Sequence, residues 1–223
     1  QYQNTFFEYL NELQSKGLQV FVTSHSPTIT AKSDVNNISI LQRKQSIIQS
    51  FSFDELSEDD YPKESKRHLR KFLDTTKAQL FFANGVLLVE GVAEAIIIPI
   101  LAKKFLTEKI DLCKSGIELV NIGGVAFNHF GLLFNNDDER KRLLSKCAII
   151  TDSDPKDNGD ISDRAQKAKD LEKHNLKVCL ATHTLEHDLF EQSERNKAIM
   201  RDVYRKIHAQ TEDRKSTRLN SSH

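Results

Sequence analysis

The chain has 223 residues, and its 32 Lys and Arg residues balance 32 Asp and Glu residues, so the formal net charge is zero. This balance excludes a global basic field that would draw the chain to nucleic acid, so any such contact has to be local. Three cysteines without a CxxC pair exclude a sequence-evident zinc ribbon and a disulfide scaffold, and they suit a reducing cytoplasm. The longest apolar run, residues 95–102, is too short to span a bilayer, so no membrane partner is predicted.

The first residues predict a helix followed by a strand. Apolar residues recur at helical spacing over residues 5–13, and Gly17 stands where the end of a helix favours glycine. Residues 18–23 are rich in β-forming side chains and predict a short strand. This strand leads into a Ser-His-Ser-Pro sequence that contains His25.

The next segment predicts a hairpin and then one helix. Residues 38–41 and 47–51 have the composition of two paired strands, and the acidic stretch 54–60 marks a boundary. A helix is predicted over residues 63–77, and one of its faces is basic. That face is either an ordinary solvated surface or a contact for DNA.

From residue 86 onward, strands alternate with helices, which indicates a parallel sheet covered on both faces. The predicted strands are Val86–Val89, Glu118–Ile122, Cys147–Thr151 and Lys177–Ala181. The predicted helices are Ala93–Phe105, Ala126–Phe134, Asp137–Lys146, Ser162–His174 and Gln192–His208. The expected fold class is therefore α/β, with a Rossmann-like, mostly parallel sheet flanked by helices.

Five acids stand just beyond the ends of the predicted strands, where open α/β sheets bind their ligands. They are Glu90, Glu94, Asp152, Asp154 and Glu186. Carboxylates brought together raise one another's pKa, and hard divalent ions such as Mg²⁺ or Mn²⁺ remove that cost. Two such ions can activate water and stabilise the leaving oxygen of a phosphodiester. Glu94 or Glu186 alone could instead complement a helix N-terminus, but the ordered set favours a metal site.

Three motifs resemble a topoisomerase–primase (Toprim) domain. They are Leu87-Leu88-Val89-Glu90-Gly91-Val92-Ala93-Glu94, Asn121-Ile122-Gly123-Gly124 and Ile149-Ile150-Thr151-Asp152-Ser153-Asp154. Together with Thr184-Leu185-Glu186 and an ATPase-like segment upstream, residues 1–200 resemble the overcoming lysogenization defect (OLD) family of ATP-dependent nucleases, some of which act in phage defence.

The resemblance implies a role for each motif residue. Glu90, Asp152 and Asp154 would be catalytic, and these three would bind two Mg²⁺ or Mn²⁺ ions together with Glu94 and Glu186. Gly123 and Gly124 would form the tight turn from a strand to a helix. The family also uses a lysine further downstream, for which Lys197 is only a candidate.

The segment Val20–Pro27 resembles the end of an ABC-type ATPase domain. In such domains a histidine after a strand senses the nucleotide, and His25 would have this role here. The sequence has no GxxxxGK[ST] pattern and no Walker B motif, so this chain is not expected to hydrolyse ATP by itself. ATP would act only in the full-length protein.

The resemblance also implies a domain organisation. Residues 1–60 would be the C-terminal fragment of an ABC/AAA-type ATPase domain, 61–80 a helical linker, 81–208 the Toprim nuclease domain, and 209–223 a non-native or disordered tail. The chain, which begins at Gln1, would be an internal fragment of a longer cytoplasmic protein. That protein would bind DNA and form a homodimer or higher homo-oligomer.

Two other functions remain open. In phosphatases of the haloacid dehalogenase type, a nucleophilic aspartate also follows an apolar strand in a DxD pattern, and Asp152 would be that residue. Against this, the motif normally opens its domain, and Asp154 is followed here by Pro155. The chain could also be a non-catalytic DNA-binding module driven by the ATPase. Primase or topoisomerase activity is less favoured, because neither a zinc ribbon nor a tyrosine nucleophile is evident.

Overall fold

A computed structural model describes residues 2–105, 111–124 and 126–220 of the chain. The chain divides into two compact units. The first contains the described residues of Gln1–Thr151 and Asp163–Leu180, and the second contains those of Asp152–Ser162 and Ala181–His223. The predicted sheet lies in the first unit.

The N-terminal segment forms helices but no strand. Helix α1 spans Tyr2–Ser15 and helix α2 spans Pro27–Lys32, with irregular backbone between them. The predicted strand over residues 18–23 is therefore wrong. A strand is stable only where a neighbour satisfies its backbone N–H and C=O groups, and none of the described residues pairs with this segment. The side chain of Phe21 is 84% exposed accordingly.

The predicted hairpin is confirmed. Strands β1, Ser39–Lys44, and β2, Ile47–Ser52, pair antiparallel. The single helix predicted over residues 63–77 is divided into α3, Lys63–Phe72, and α4, Thr75–Ala78. The break follows from Asp74, whose carboxylate accepts a hydrogen bond from the backbone N–H of Lys77 at 2.8 Å and so begins a new helix.

The four predicted parallel strands are confirmed, each to within one residue at either end. They are β3, Gly85–Val89; β4, Ile117–Asn121; β5, Lys146–Thr151; and β6, Leu176–Leu180. All neighbours are parallel and the order is β4-β3-β5-β6. After β3, the chain therefore adds β4 on one side of that strand. It then crosses back to add β5 on the other side of β3, and β6 follows beyond β5.

The bounds of the helices between and after these strands differ more from the predicted bounds than those of the strands do. The helices are α5, Val92–Phe105; α6, Phe127–Gly131; α7, Asp163–Asp170; α8, Leu185–Glu191; and α9, Glu194–Asn220. Helix α6 ends before the predicted Phe134, and α8 is not among the predicted helices. Helix α9 continues through residues 209–220 of the expected tail, and residues 221–223 lie outside the described part of the chain.

The helix predicted over Asp137–Lys146 is wrong, because its backbone groups bond elsewhere. Only Glu139–Lys141 forms a short 3-10 helix. Beyond it, the N–H of Leu143 donates to the carbonyl of Leu133 at 2.7 Å, and the N–H of Leu144 donates to Gln42 Oε1 at 2.6 Å. These long-range bonds replace the local ones that a helix needs.

Helix α7 ends at Asp170, four residues before the predicted end. His174 has a φ of 51°, in the left-handed region, where a right-handed helix cannot continue. The Leu171 carbonyl, just past the helix end, accepts a hydrogen bond from Asn135 Nδ2 at 3.0 Å. The polar groups near this end therefore bond outside the helix.

One hydrophobic core joins the hairpin region to the sheet within the first unit. Phe51 and Phe53 from the hairpin side are fully buried, in the same cluster as Leu88 of β3 and Ile149 of β5. Residues on both sides of the expected boundary at residue 60 therefore pack together. No helix among the described residues combines the length and apolar character that a membrane span requires.

A network around Asp60 ties the turn before α3 to the segment before β5. Its carboxylate accepts hydrogen bonds from Lys141 Nζ at 2.7 Å, Asn136 Nδ2 at 3.0 Å and Ser57 Oγ at 2.7 Å. These donors hold the pKa of Asp60 well below its usual range, and Lys141 has the largest effect. The folded state is therefore favoured while Asp60 is ionised.

We expect Asp60→Asn to lower the free energy of unfolding at pH 7 by about 1–2 kcal/mol, since solvent partly screens the pair. The folded pKa is below the unfolded value of about 3.9, so this contribution is present above pH 4 and is lost as the pH falls below it. Urea unfolding from pH 7 to pH 3 measures the difference, which should shrink below pH 4. The exposed Asp59→Asn is the control, and an equal loss in both variants would contradict the prediction.

Candidate active site

The first candidate acid, Glu90, follows β3 at the point where the sheet changes its winding direction. Val89, the last residue of β3, pairs with Asn121 of β4 on one side and with Ile150 of β5 on the other. Open α/β sheets bind ligands in the crevice beyond the carboxyl ends of such strands. Glu90 therefore stands where the fold offers a ligand site.

The Glu90 carboxylate is held by two side chains of the first unit. Its side chain is only 16% exposed. The hydroxyl of Thr151, the buried last residue of β5, donates a short hydrogen bond to Oε1. Arg164 Nη2, from the first turn of α7, lies 2.9 Å from Oε1 and 3.3 Å from Oε2. The carboxylate is thus fixed in direction and balanced in charge.

Glu94 lies in the first turn of α5 and is 8% exposed. A Cβ atom placed on Gly91 would stand 3.2 Å from its Oε2, so the absent side chain leaves room for this carboxylate. The sequence Glu-Gly-Val-Ala-Glu therefore brings a second buried acid back towards the end of β3.

The turn after β4 is built from two glycines. Gly123 and Gly124 have φ values of +68° and +131°, which residues other than glycine rarely adopt. The N–H of Gly124 donates to the backbone carbonyl of Glu90 at 3.0 Å. This turn therefore ties the loop after β4 to the end of β3.

The acids of the DxD motif belong to the second unit. Asp152 Oδ1 accepts a hydrogen bond from the N–H of Leu185, the first residue of α8, at 3.0 Å. Between the acids, Ser153 is buried and its hydroxyl donates to the Thr182 carbonyl at 2.6 Å. The N–H of Asp154 donates to the His183 carbonyl at 3.2 Å. The motif is therefore fastened to the segment that leads into α8.

Asp154 has a φ of 41°, in the left-handed region that favours glycine. In residues other than glycine, such a conformation costs free energy, and it occurs often at functional sites. Aspartate and asparagine tolerate it better than most residues. The backbone of this motif is therefore unusual at one of the two predicted acids.

Glu186 lies exposed in the first turn of α8. The neighbouring Asp188 has a different environment, because Thr182 donates to it from both its hydroxyl and its backbone N–H. These bonds lower the pKa of Asp188, and the bond from the Thr182 hydroxyl has the largest effect. Asp188 therefore stabilises the start of α8, whereas the Glu186 carboxylate faces solvent.

The five acids are divided between the two units: Glu90 and Glu94 belong to the first, and Asp152, Asp154 and Glu186 belong to the second. Among the residues that the structure describes, no three His, Cys, Asp or Glu side chains form a group that could hold a metal ion. The roles of all five acids remain predictions. Sequence spacing does not identify Thr151 and Arg164 as neighbours of Glu90, because no spacing rule links the end of β5 or the start of α7 to the end of β3.

Several other candidates are engaged in ordinary contacts. Lys197 Nζ lies 2.8 Å from a carboxylate oxygen of Glu191 and 3.2 Å from one of Glu194. These carboxylates raise the pKa of the lysine, and Glu191 has the larger effect. On the basic face of α3, Lys66 Nζ donates to the Phe53 carbonyl at 2.7 Å. Both cations stabilise local structure in the described chain.

His25 and an apolar cavity both lie apart from the predicted acids. The His25 ring is exposed, and its centroid lies 6.2 Å from that of Phe82. In the second unit, a cavity is lined by Phe190, Met200, Arg201, Tyr204 and Arg205. None of the predicted acids lines it. The candidate site therefore rests on the strand ends rather than on this cavity.

Comparison with known proteins agrees with the strand-end motifs. Residues 81–154 match the family model described as the overcoming lysogenization defect protein-like, TOPRIM domain. The Old nuclease of Escherichia phage P2 is 27% identical over 149 residues, which make up 66% of this chain. The chain spans about a quarter of the length of that relative. The ATPase-like segment lies outside the matched family model.

Solved structures of related proteins are also similar. The C-terminal region of the Burkholderia pseudomallei OLD protein is 24% identical, with a TM-score of 0.38, over 49% of this chain and 59% of that chain. The C-terminal region of the Xanthomonas campestris pv. campestris OLD protein is 26% identical, with a TM-score of 0.38, over 56% of this chain and 64% of that chain.

Proposed function

We propose that this chain, whose residues 81–154 match the OLD-like Toprim family model, is the nuclease part of a metal-dependent enzyme that cleaves or nicks DNA. One observation carries the proposal: the Glu90 carboxylate is fixed at the carboxyl end of β3, beside the end of β5 from which the DxD motif continues. Similarity to a protein named as a nuclease supports the choice of reaction.

The donor set fits a hard divalent cation. Glu90, Glu94, Asp152, Asp154 and Glu186 offer only carboxylate oxygens, which Mg²⁺ and Mn²⁺ prefer over nitrogen and sulfur ligands. In the metal-free chain, Arg164 supplies a positive charge against Glu90 and so balances one carboxylate of the set. We propose that the five acids together hold two ions, with Glu90, Asp152 and Asp154 indispensable for catalysis.

Bound divalent ions would supply the positive charge that polarises the phosphodiester and lowers the pKa of water. The residues of the chain prepare the site. The Glu90 carboxylate is held by side-chain contacts, and the backbone of Asp154 is held by the hydrogen bond from its N–H to the His183 carbonyl. Basic side chains would hold the DNA phosphates. In this reaction no aspartate becomes covalently modified, which separates it from the phosphatase mechanism.

The wider setting follows the family resemblance. We propose that the full-length protein is cytoplasmic, forms a homodimer or higher homo-oligomer, and couples cleavage to ATP, with His25 sensing the nucleotide. Residues 1–60 would end its ATPase domain, residues 61–80 would be the linker, and residues 81–208 the nuclease domain. We also propose a role in phage defence, because some nucleases of the resembled family act in it.

Plasmid nicking tests the proposal. We expect the full-length protein to convert supercoiled plasmid to the open circular form with millimolar Mn²⁺ or Mg²⁺ and to lose this activity in EDTA, since the acids need cations. An aspartyl-phosphate trapping assay with a phosphomonoester runs in parallel. Trapped phosphate on Asp152 without nicking would assign the chain to the phosphatases, and DNA binding without either reaction would indicate a regulatory module.

A further inference from the structure

An open cavity lies between helices α8 and α9 of the second unit. Its volume of about 400 Å³ falls within the range of roughly 300–1,000 Å³ that is typical of sites for small organic groups. The lining consists of two aromatic rings, one thioether and two guanidinium groups, from Phe190, Tyr204, Met200, Arg201 and Arg205. The cavity therefore offers flat apolar surface and positive charge side by side.

Both arginines of the cavity can receive an anion. Arg201 Cζ lies 5.4 Å from the centre of the Phe190 ring, and this cation–π contact holds the guanidinium without using its N–H donors. In the described part of the chain, no carboxylate lies within ion-pair distance of Arg201 or Arg205, and Asp202 pairs instead with Lys206 at 2.7 Å. Residues 199–208 contain three Arg and Lys residues against this one carboxylate. The positive charge beside the cavity is therefore not balanced locally.

Tyr204 provides an exposed ring at the cavity. The residue is 64% exposed, although the ring of His208 contacts it with 4.0 Å between the two centroids. Aromatic rings and guanidinium planes are the surfaces on which unstacked nucleic-acid bases bind, and the phosphates on either side of a base supply the negative charge that arginines bind. An apolar peptide would fill the cavity but leave both arginines without partners. The charge of the cavity therefore favours a DNA strand over an apolar partner.

We infer that this cavity binds one unstacked base of a DNA strand, with the base against the Tyr204 ring and the adjacent phosphates on Arg201 and Arg205. The inference rests on the proposed function, because it takes DNA as the partner, and it adds a contact that requires neither a metal ion nor any of the five acids. Every base has an aromatic face, so the contact accepts all four bases. It requires a base that has left the duplex stack, because paired bases expose only their edges in the grooves.

Helix α8 connects the cavity to the DxD motif, although none of the predicted acids lines the cavity. The N–H of Leu185, at the start of this helix, donates to Asp152 Oδ1 at 3.0 Å. Phe190 follows five residues later in the same helix, which corresponds to about 7.5 Å along its axis. A strand held by one base in the cavity is therefore kept near Asp152 within the second unit.

Binding of single-stranded DNA in EDTA tests the inference without metal or activity. A short fluorescein-labelled oligothymidylate is titrated with the full-length protein, and fluorescence anisotropy gives the dissociation constant. We expect Tyr204→Ala to raise this constant by about 10-fold, because a base stacked on an aromatic ring contributes affinity of that order, whereas Tyr204→Phe should keep the wild-type value. A short duplex, whose bases stay stacked, should bind Tyr204→Ala and the wild type equally. Val203→Ala is the control, since Val203 is an exposed neighbour outside the cavity lining.

The salt dependence of binding tests the two arginines. For a single strand, the logarithm of the binding constant falls with the logarithm of the salt concentration by about 0.7 for each phosphate that is neutralised. The double variant Arg201→Gln/Arg205→Gln should therefore reduce this slope by about 1.4. Lys206→Gln is the matched control, because Lys206 is an exposed cation of the same helix that pairs with Asp202 and does not line the cavity. Thermal melting in EDTA verifies that each variant folds.

The outcomes separate the inference from the proposed function. If the wild type binds no DNA, the function and the inference fail together, whereas DNA binding without nicking rejects the nuclease and leaves the base site in place. If folded Tyr204→Ala binds the single strand as the wild type does, only the inference is overturned. An equal loss on single strand and duplex would also overturn it, since no unstacked base would then be needed. If Tyr204→Ala changes the oligomeric state in sedimentation velocity but not the affinity for DNA, the cavity is a protein interface and the inference is wrong.

Discussion

Asp152→Asn is expected to reduce Mn²⁺-dependent plasmid nicking by at least about 1000-fold, equivalent to roughly 4 kcal/mol of transition-state stabilisation. The substitution removes one negative charge from the proposed metal site but keeps the shape of the side chain. Asparagine Oδ1 can still accept the N–H of Leu185, which Asp152 Oδ1 accepts at 3.0 Å, so the motif should fold. Nicking is measured by initial rates on supercoiled plasmid.

Asp154→Asn should have an effect of similar size, and its left-handed backbone tolerates asparagine. DNA binding, measured by fluorescence anisotropy in EDTA, should remain near the wild-type value in both variants, because basic groups hold the phosphates. Asp157→Asn is the matched control, since Asp157 is an exposed acid of the same loop. Nicking by Asp152→Asn at the wild-type rate would remove this residue from the proposed catalytic set.

The sheet could be predicted from the sequence because its signal is local. Each strand is a short apolar run followed by a turn or an acid, and in a parallel sheet buried on both faces this pattern suffices. Elements whose backbone bonds to distant residues could not be predicted in this way. The Asp137–Lys146 segment has helical composition, yet its backbone groups bond to Leu133 and Gln42.

The places of four acids in the chain could also be predicted, although their roles stay predictions: Glu90 and Asp152 directly follow strands, and Glu94 and Glu186 lie in the first turns of helices. Their supports could not, because Thr151 reads as an ordinary strand residue and Arg164 as an ordinary helix residue. Only the pairing of β3 with β5, and the placement of α7, show that they reach Glu90. Motif reasoning identifies the groups that carry charge, whereas the fold identifies the groups that orient them.

The position of Glu90 also explains why one carboxylate can be nearly buried without destabilising the fold. A buried, unpaired carboxylate is costly, but this one has Arg164 and Thr151 as partners. Glu94, 8% exposed, adds a second negative charge in the same segment of the chain. The metal-free protein therefore holds charge that a divalent cation would stabilise further.

Millimolar Mn²⁺ is accordingly expected to raise the melting temperature of the chain. A ligand present at 100 times its dissociation constant adds about 2.7 kcal/mol to the free energy of unfolding. For a chain of this size, that corresponds to an increase of roughly 5–10 °C. The physical reason is that the proposed site would bring carboxylates together only in the folded state, so the cation would bind that state preferentially. Differential scanning fluorimetry in EDTA and in Mn²⁺ measures the shift.

The increase should depend on the acids themselves. The double variant Glu90→Gln/Asp152→Asn should lose most of the Mn²⁺-dependent shift, whereas Asp157→Asn should keep it, which separates a specific site from general screening of surface charge. A buffer of equal ionic strength without divalent cations controls for that screening. If the wild-type midpoint is the same in EDTA and in Mn²⁺, or if the double variant is stabilised as much as the wild type, these acids do not form a metal site in the folded chain.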